Sequence, residues 1–355
     1  MDLISDLPDD ITRKCLIRVT HEQFAAVAAV CKRWNAEIEL PEFLIFRKIT
    51  GHSQGVIVMV QAQFDPTHKF CLFKRPVVLV YRITRWEPDA GRWSKLPPIP
   101  GLAGGLPLFC QVAGVGTDLV VISGFDQLTW QASDSVYVYN ILSAKWRRGK
   151  DMPGCQRSFF ACASDSDWMV YVVGGHDDET NALRLAMAYD VVKNEWFTLP
   201  EMERERDECK TVFHSGKLHV IGGYSTEMQG RFERSAESFD VSTWRWDRVD
   251  LDSLEFAMCP RTCVYGDDEA MYMCQGGDLV KRKNATWQTV AKLPAEVDKI
   301  AYVVTWKGRM LVIGSAGFGD PHMAYVLDMD NYDWIKLKTP QEFSGHVQSG
   351  CYMEI

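Results

Sequence analysis

The chain has eight residues that could hold a metal or carry a proton as imidazoles: His21, His52, His68, His176, His214, His219, His322 and His346. No two stand at i, i+2 or i, i+4, so none forms a local ligand pair. Cys259 and Cys263 are four apart, but no His or second Cys pair accompanies them, and zinc is not expected. Gly114-Val115-Gly116 and Gly317-Phe318-Gly319 read as turns, without the strand-to-helix setting of a nucleotide loop. No Gly-x-Ser-x-Gly elbow occurs, and no nucleophile, base and orienter stand in a recognisable order. His176, just after Gly174-Gly175, reads either as lining a channel or as a solvated loop histidine, and the second reading is favoured. The expectation is therefore no metal, no cofactor and no bond-making chemistry.

Binding chemistry remains. Arg157, Arg206 and Arg261 occupy corresponding places, each just before an apolar run: Gln156-Arg157-Ser158, Glu205-Arg206-Asp207 and Pro260-Arg261-Thr262. A guanidinium is a planar fork that pairs carboxylates with two bonds. The equal alternative is a structural ion pair, with Asp190 or Asp240 as partner. Gln127-Leu128-Thr129-Trp130-Gln131 offers an exposed Trp130, a frequent interface anchor. The loop that starts at Tyr224 and runs to Arg231 is long and mixed. Loops at one end of a rigid scaffold are well placed for recognition. Trp130, Arg157, His176, Arg206, Tyr224 and Arg261 are thus the candidates for holding a partner protein.

The scaffold is a unit that recurs. Its clearest copy is Val170-Tyr171-Val172-Val173-Gly174-Gly175, then Ala188-Tyr189-Asp190, Trp196 and Leu199-Pro200. The next has Leu218 to Gly223, Phe239-Asp240 and Trp246; the previous one has Leu119 to Gly124, Tyr139-Asn140 and Trp146. Weaker copies carry Gly276-Gly277 with Trp287, and Leu311 to Gly314 with Trp334. The first keeps Val78-Leu79-Val80-Tyr81 and Trp93 without the glycines. A period near 50 residues marks a β-propeller of the kelch type, in which small four-stranded sheets stack around an axis and leave few edges. The glycine pairs suit a crowded strand end, and each Trp on an outer strand can wedge between neighbours. The Trp positions count six blades, with five and an irregular segment as the alternative; the short Trp246–Trp287 interval predicts trimmed loops in blade five. Gly55 to Ala62 reads as a buried strand, followed by a turn at Asp65-Pro66-Thr67. The final strand-like residues, His346 to Ile355, are expected to pair with it and close the ring.

Residues 1–48 differ: they predict three helices and no strand alternation. Pro8, Asp9 and Asp10 suit a helix start, with Ile11, Cys15 and Val19 at i, i+4, i+8. Thr20 and Gln23 resemble a capping box. The helix that follows carries Phe24, Val27, Cys31, Trp34 and Ile38 on one stripe, and Pro41 starts a third with Phe43, Leu44 and Phe46. Three short helices cannot hide this much apolar surface among themselves, so they dock either on the propeller or on another protein.

Net charge is −8, from 39 basic and 47 acidic residues, which argues against a nucleic-acid or acidic-membrane partner. No apolar run approaches the roughly 20 residues that span a bilayer. The N-terminus lacks the order of a signal peptide, and the 11 cysteines are scattered, most beside apolar neighbours as in Phe70-Cys71-Leu72. They read as reduced thiols of a cytoplasmic or nuclear protein.

Leu7-Pro8-Asp9-Asp10-Ile11 followed by Val30-Cys31-Lys32-Arg33-Trp34 resembles an F-box. With the repeats behind it, the chain resembles the F-box/kelch-repeat proteins abundant in plants. That resemblance implies an F-box helical domain over 1–48 and a kelch propeller over 52–355. It implies a Skp-type adaptor, and through it a cullin-RING ubiquitin ligase, bound by Leu7, Pro8, Ile11, Leu16, Val30, Cys31 and Trp34. The propeller would hold a target protein for ubiquitination, and in kelch proteins the position of the three arginines can face the channel mouth. Ala236 to Trp246 and Cys259-Pro260-Arg261-Thr262 resemble a subgroup acting on phenylalanine ammonia-lyase, other phenylpropanoid enzymes or cytokinin response regulators. The rival classes are a kelch enzyme or small-molecule binder, and a kelch scaffold outside the ubiquitin system.

Overall fold

The computed structural model describes residues 7–63, 80–102, 104–126 and 129–355. The expected turn at Asp65-Pro66-Thr67, the Phe70-Cys71-Leu72 stretch, Val78-Leu79 and Gln127-Leu128 lie outside them. Four helices precede six four-stranded antiparallel sheets.

Blade 1 orders its strands Val347–Glu354, Gly55–Ala62, Tyr81–Glu87 and Arg92–Lys95 from the inside out. Blade 2 has Gln111–Val115, Asp118–Phe125, Ala132–Asn140 and Lys145–Arg148; blade 3 has Ala161–Ser164, Met169–Val173, Ala186–Asp190 and Glu195–Thr198. Blade 4 has Lys210–His214, Lys217–Ile221, Ala236–Asp240 and Arg245–Trp246. Blade 5 has Val264–Tyr265, Met271–Gln275, Asp278–Lys283 and Thr286–Lys292; blade 6 has Lys299–Trp306, Arg309–Ser315, Met323–Asp328 and Trp334–Lys336. Each innermost strand neighbours that of the next blade, and the last meets the first. The propeller therefore has six blades.

The last strand pairs antiparallel with Gly55–Ala62, Val58 opposite Cys351, so the C-terminus supplies the innermost strand of the first blade. All eight residues of Gly55–Ala62 are buried, because this strand has a partner on each edge and a neighbouring sheet on each face.

The repeated tryptophans latch blade to blade. Indole Nε1 donates to the main chain of the preceding link: Trp146 to Pro97 O at 3.0 Å, Trp196 to Lys150 O at 2.9 Å and Trp246 to Pro200 O at 2.8 Å. Trp287 reaches Ser253 O at 3.3 Å and Trp334 reaches Lys292 O at 2.9 Å. Trp93 instead stacks on Phe343 of the last link, with centroids 5.6 Å apart. The ring buries apolar area while the N–H keeps a partner, which explains why Trp recurs where Phe would leave the carbonyl unmet.

Gly174 and Gly175 have φ of 63° and 83°, and a Cβ would lie 2.2 Å from Arg206 O and 2.3 Å from Ser158 O respectively. No L-residue side chain fits there. Gly276-Gly277 differ: they form the two-residue turn between the paired Gln275 and Asp278, with open space around both. Blade 5 is shortened at this turn, as its interval predicts.

The helices are α1 (Asp9–Leu16), α2 (Phe24–Val30), α3 (Lys32–Ile38) and α4 (Pro41–Ile49). The single long helix expected across Phe24 to Ile38 is two, because Cys31 is extended (φ −163°, ψ 163°) and its Sγ accepts the Trp34 N–H at 3.4 Å as a cap. The expected capping box is a 3₁₀ turn at His21–Gln23, with no side-chain bond from Thr20. In α1 the buried positions are Thr12 and Leu16, while Ile11 and Cys15 face solvent.

Candidate functional site

The inner side of the helical domain is locked to the propeller. Phe24, Ile38 and Phe43 share one apolar core with Val58, Met353 and Ile355. Arg47 of α4, fully buried, donates to Val19 O at 2.7 Å, to Ile17 O, and to the carbonyl of Ile355 at 3.4 Å, while its guanidinium lies over the Phe24 ring. Burial pushes its pKa down to about 10, which leaves it charged. His21 accepts no proton at neutral pH: burial, then Arg85, lower its pKa to about 4, and its backbone N–H donates to Gln54 Oε1 at 2.8 Å. Among the described residues, one group has donor atoms close enough to ligate a metal: His21, Glu22 and Glu87. Guanidinium groups already neutralise its acids, Arg92 pairing both Glu22 and Glu87, and Arg85 lying 3.1 Å from Glu87. It is an ion-pair clamp between helices and blade 1.

The outer side is bare. Arg33 and Asp9 pair at 2.8 Å, bringing the start of α3 against the start of α1. This places exposed Leu7, Pro8 and Ile11 beside exposed Val30 and Cys31, Val30 being 60% exposed. Trp34 is half-buried against the core. Leu16 is 3% exposed and packs inward, so its expected place on the docking surface is corrected: the helical period puts it opposite Ile11. Leu40, Ile45, Phe46 and Ile49 extend the exposed apolar surface along α4.

Inner strands all run the same way. Their starts meet where Phe109 N–H reaches Gln348 Oε1, and their ends meet where Ser164 Oγ reaches Gly114 O. The helices sit at the exit end, beside Gln54 and Ile355. Trp130, Arg157, His176, Arg206, Tyr224 and Arg261 all belong to loops or strand termini of the opposite, entry end. The structure therefore gathers the six candidates, but it does not expose them equally. Trp130 is 66% exposed and Arg261 is exposed in a 3₁₀ turn. Tyr224 is buried and donates to Glu208 Oε1 at 3.0 Å. Arg206 is 1% exposed and paired with fully buried Glu237, Nη2 to Oε1 3.0 Å. It is a structural residue, corrected as a contact for a target, and its partner is Glu237 instead of Asp190 or Asp240. Arg157 is as deeply buried, with no carboxylate bonded to it among the described residues. An axial cavity of about 300 Å³ runs between the inner strands, lined among others by Val112, Cys162, Lys210 and Val264.

One arrangement has no signal in the sequence. His176 Nδ1 lies 2.8 Å from Asp207 Oδ2, and Nε2 lies 2.8 Å from Ser158 Oγ. Residues 158, 176 and 207 come from two blades, so no local spacing reveals them. The order of groups is that of a hydrolytic relay. Its setting is structural: Ser158 is buried and exchanges both backbone hydrogen bonds with His176, and the Phe159 ring stacks on the imidazole at 5.3 Å. The row clips blade 3 to blade 4. The hydrogen bond to Asp207, with the nearby acids, raises the His176 pKa above its usual 6.5. A raised folded-state value stabilises the fold fully below the unfolded value, and the contribution fades as pH rises through the folded one. The wild-type advantage in melting temperature over His176→Gln is therefore expected to be larger at about pH 5.5 than at about pH 8.5. His21 and His346, each lowered to about 4, work in the opposite sense but cancel between the two proteins. An advantage that grows with pH excludes the clip.

No described helix is long and apolar enough to cross a membrane. The F-box domain profile matches residues 4–46, and the Kelch motif profile matches 108–153 and 169–203. The chain is 48% identical over 359 residues to the F-box/kelch-repeat protein At1g15670 of Arabidopsis thaliana, with all of both chains covered. It is 48% identical over 362 residues to At1g80440, again over both full lengths, and 33% identical to At2g44130 across 70% of this chain and 65% of that one, both from the same plant. With helices clamped to one end of a six-bladed ring and matches along the whole length, the chain belongs to the F-box/kelch-repeat family, whose architecture is that of a substrate-recognition adaptor of SCF-type ubiquitin ligases.

Proposed function

We propose that the outward surface of α1 and the α2–α3 joint docks a Skp-type adaptor, and that the entry end of the propeller holds the protein to be ubiquitinated. The observation that supports this most directly is the division of the helical domain: one side is spent on the propeller, and Leu7, Ile11 and Val30 remain uncovered on the other. The two ends of the ring then separate the ligase from its cargo. Catalysis by such a chain is proximity, since it raises the local concentration of target lysines before an enzyme bound elsewhere.

Ile11→Asp with Val30→Asp tests the docking surface. Both side chains are exposed, so melting should be unchanged. Losing two apolar anchors at about 2 kcal/mol each should weaken capture of a co-expressed Skp adaptor by roughly several hundred-fold. Undiminished capture refutes the assignment.

For the target, the resemblance of Ala236 to Trp246 and Cys259 to Thr262 favours phenylalanine ammonia-lyase or a cytokinin response regulator. The full chain carrying the Ile11→Asp and Val30→Asp changes is the proper bait, because a captured target would not be degraded. Binding of neither class by purified bait ends the subgroup reading and leaves the adaptor reading intact.

A further inference from the structure

Blades 3 and 4 carry the same arginine in the same place, and only blade 4 gives it a counter-charge. There the Glu237 carboxylate takes Arg206 Nε at 3.1 Å and Nη2 at 3.0 Å, together with the backbone N–H of Glu203 at 2.7 Å and of Arg204 at 3.2 Å. Ser235 Oγ accepts from Nη2 at 2.9 Å, and Gly222 O accepts from Nη1 at 2.6 Å. Strand register makes Met187 the twin of Glu237, since Met187 faces Val172 as Glu237 faces Val220, each two residues before a glycine pair. By the same register Leu185 stands for Ser235.

Arg157 is 1% exposed like Arg206. Its Nη2 meets Met187 Sδ at 3.3 Å, while Nε and Nη1 have no acceptor among the described residues. A thioether is a weak acceptor. Burial lowers the Arg157 pKa, and among the described residues no carboxylate is hydrogen-bonded or ion-paired to its guanidinium. Asp207 and Glu208 at the same end are engaged by His176 and Tyr224. A desolvated cation beside unmet donors is among the costliest arrangements a core can hold.

We propose that blade 3 is a receptor for a carboxylate supplied from outside the chain, the acidic side chain of a protein held at the entry end, which Arg157 grips as Arg206 grips Glu237. The inference rests on the reading of that end as target-binding and names the chemistry it selects. Met187 is unbranched and adaptable, so it can yield its place. The segment directly before Arg157, Pro153 to Gln156, is exposed throughout, so the guanidinium lies next to solvent-facing chain at the entry end.

The test uses the full chain and no partner protein. Melting is followed with sodium acetate against sodium chloride at equal ionic strength, and with acetyl-glutamyl amide against acetyl-glutaminyl amide. Wild type should gain stability from acetate and the glutamyl compound alone. Met187→Glu should melt about 2–4 °C higher unaided, the shift expected of one restored ion pair, and should lose the acetate response. Arg157→Met should fold and show no response. An equal acetate effect in Arg157→Met, or a lower melting point for Met187→Glu, overturns the receptor. Stabilisation by acetate without the glutamyl compound overturns its assignment to a protein side chain. Because Skp and target are absent, this result is read independently of whether the adaptor reading holds.

Discussion

Arg206→Met is expected to lower the stability of the protein by about 3–5 kcal/mol, the cost of stranding one member of a buried ion pair. Glu237 would remain at the centre of blade 4 with no exposed surface and no cation. Glu237→Leu should cost a similar amount, because it strands Arg206 together with the backbone N–H groups of Glu203 and Arg204. The double variant is the decisive arm. With both charges gone the desolvation penalty goes too, so the two losses should not add, and the coupling should be at least about 2 kcal/mol. Denaturant unfolding of the four proteins measures it. Additive losses, or single losses under about 1 kcal/mol, mean that the pair contributes no more than a surface contact does. The same cycle on Arg157 and Met187 should show no such coupling.

Ending the chain before Val347 should abolish the folded monomer. The lost segment carries Val347, Met353 and Ile355, all buried, and at about 1.5–3 kcal/mol each they rival a large part of a typical 5–15 kcal/mol total stability. Its loss would also uncover one edge of Gly55–Ala62, a fully buried strand that would then template aggregation. Arg47 would lose the Ile355 carbonyl, loosening the helical domain from the ring. Size-exclusion chromatography should find aggregate, and a synthetic peptide of residues 346–355 should restore monomer by re-occupying the first blade. A truncated protein that melts like the full one removes ring closure from the account.

The two experiments probe different kinds of contact in the ring. The C-terminal strand joins the ends of the chain through backbone pairing, whose register the buried face imposes. Arg206 and Glu237 act inside one blade, where charge is tolerable only because every donor and acceptor is met. His176 acts between blades and is half-buried, so it can gain and lose a proton and its contribution follows pH.

Repeats made the ring legible from residues alone. Six Trp positions in phase with apolar strands leave few ways to bury those surfaces, and Trp196 and Trp246 stand in the structure where the period puts them. The Leu-Pro and Val-Cys-Lys-Arg-Trp stretches marked the helical domain equally well, since short motifs survive translation into a surface. What the residue order could not decide was which way side chains turned once elements met. Cys31 broke a helix that its stripe predicted to be continuous, because its backbone is extended there and α3 starts anew with the Cys31 sulfur facing the Trp34 N–H. Leu16 went inward and Ile11 outward on the same helix, a choice made by the propeller beneath it. Arg157, Arg206 and Arg261 are alike in one dimension, yet one is unpaired, one is neutralised and one is exposed. Their fates depend on residues 30 or more positions away, and only packing brings a glutamate to one guanidinium and a methionine to the next.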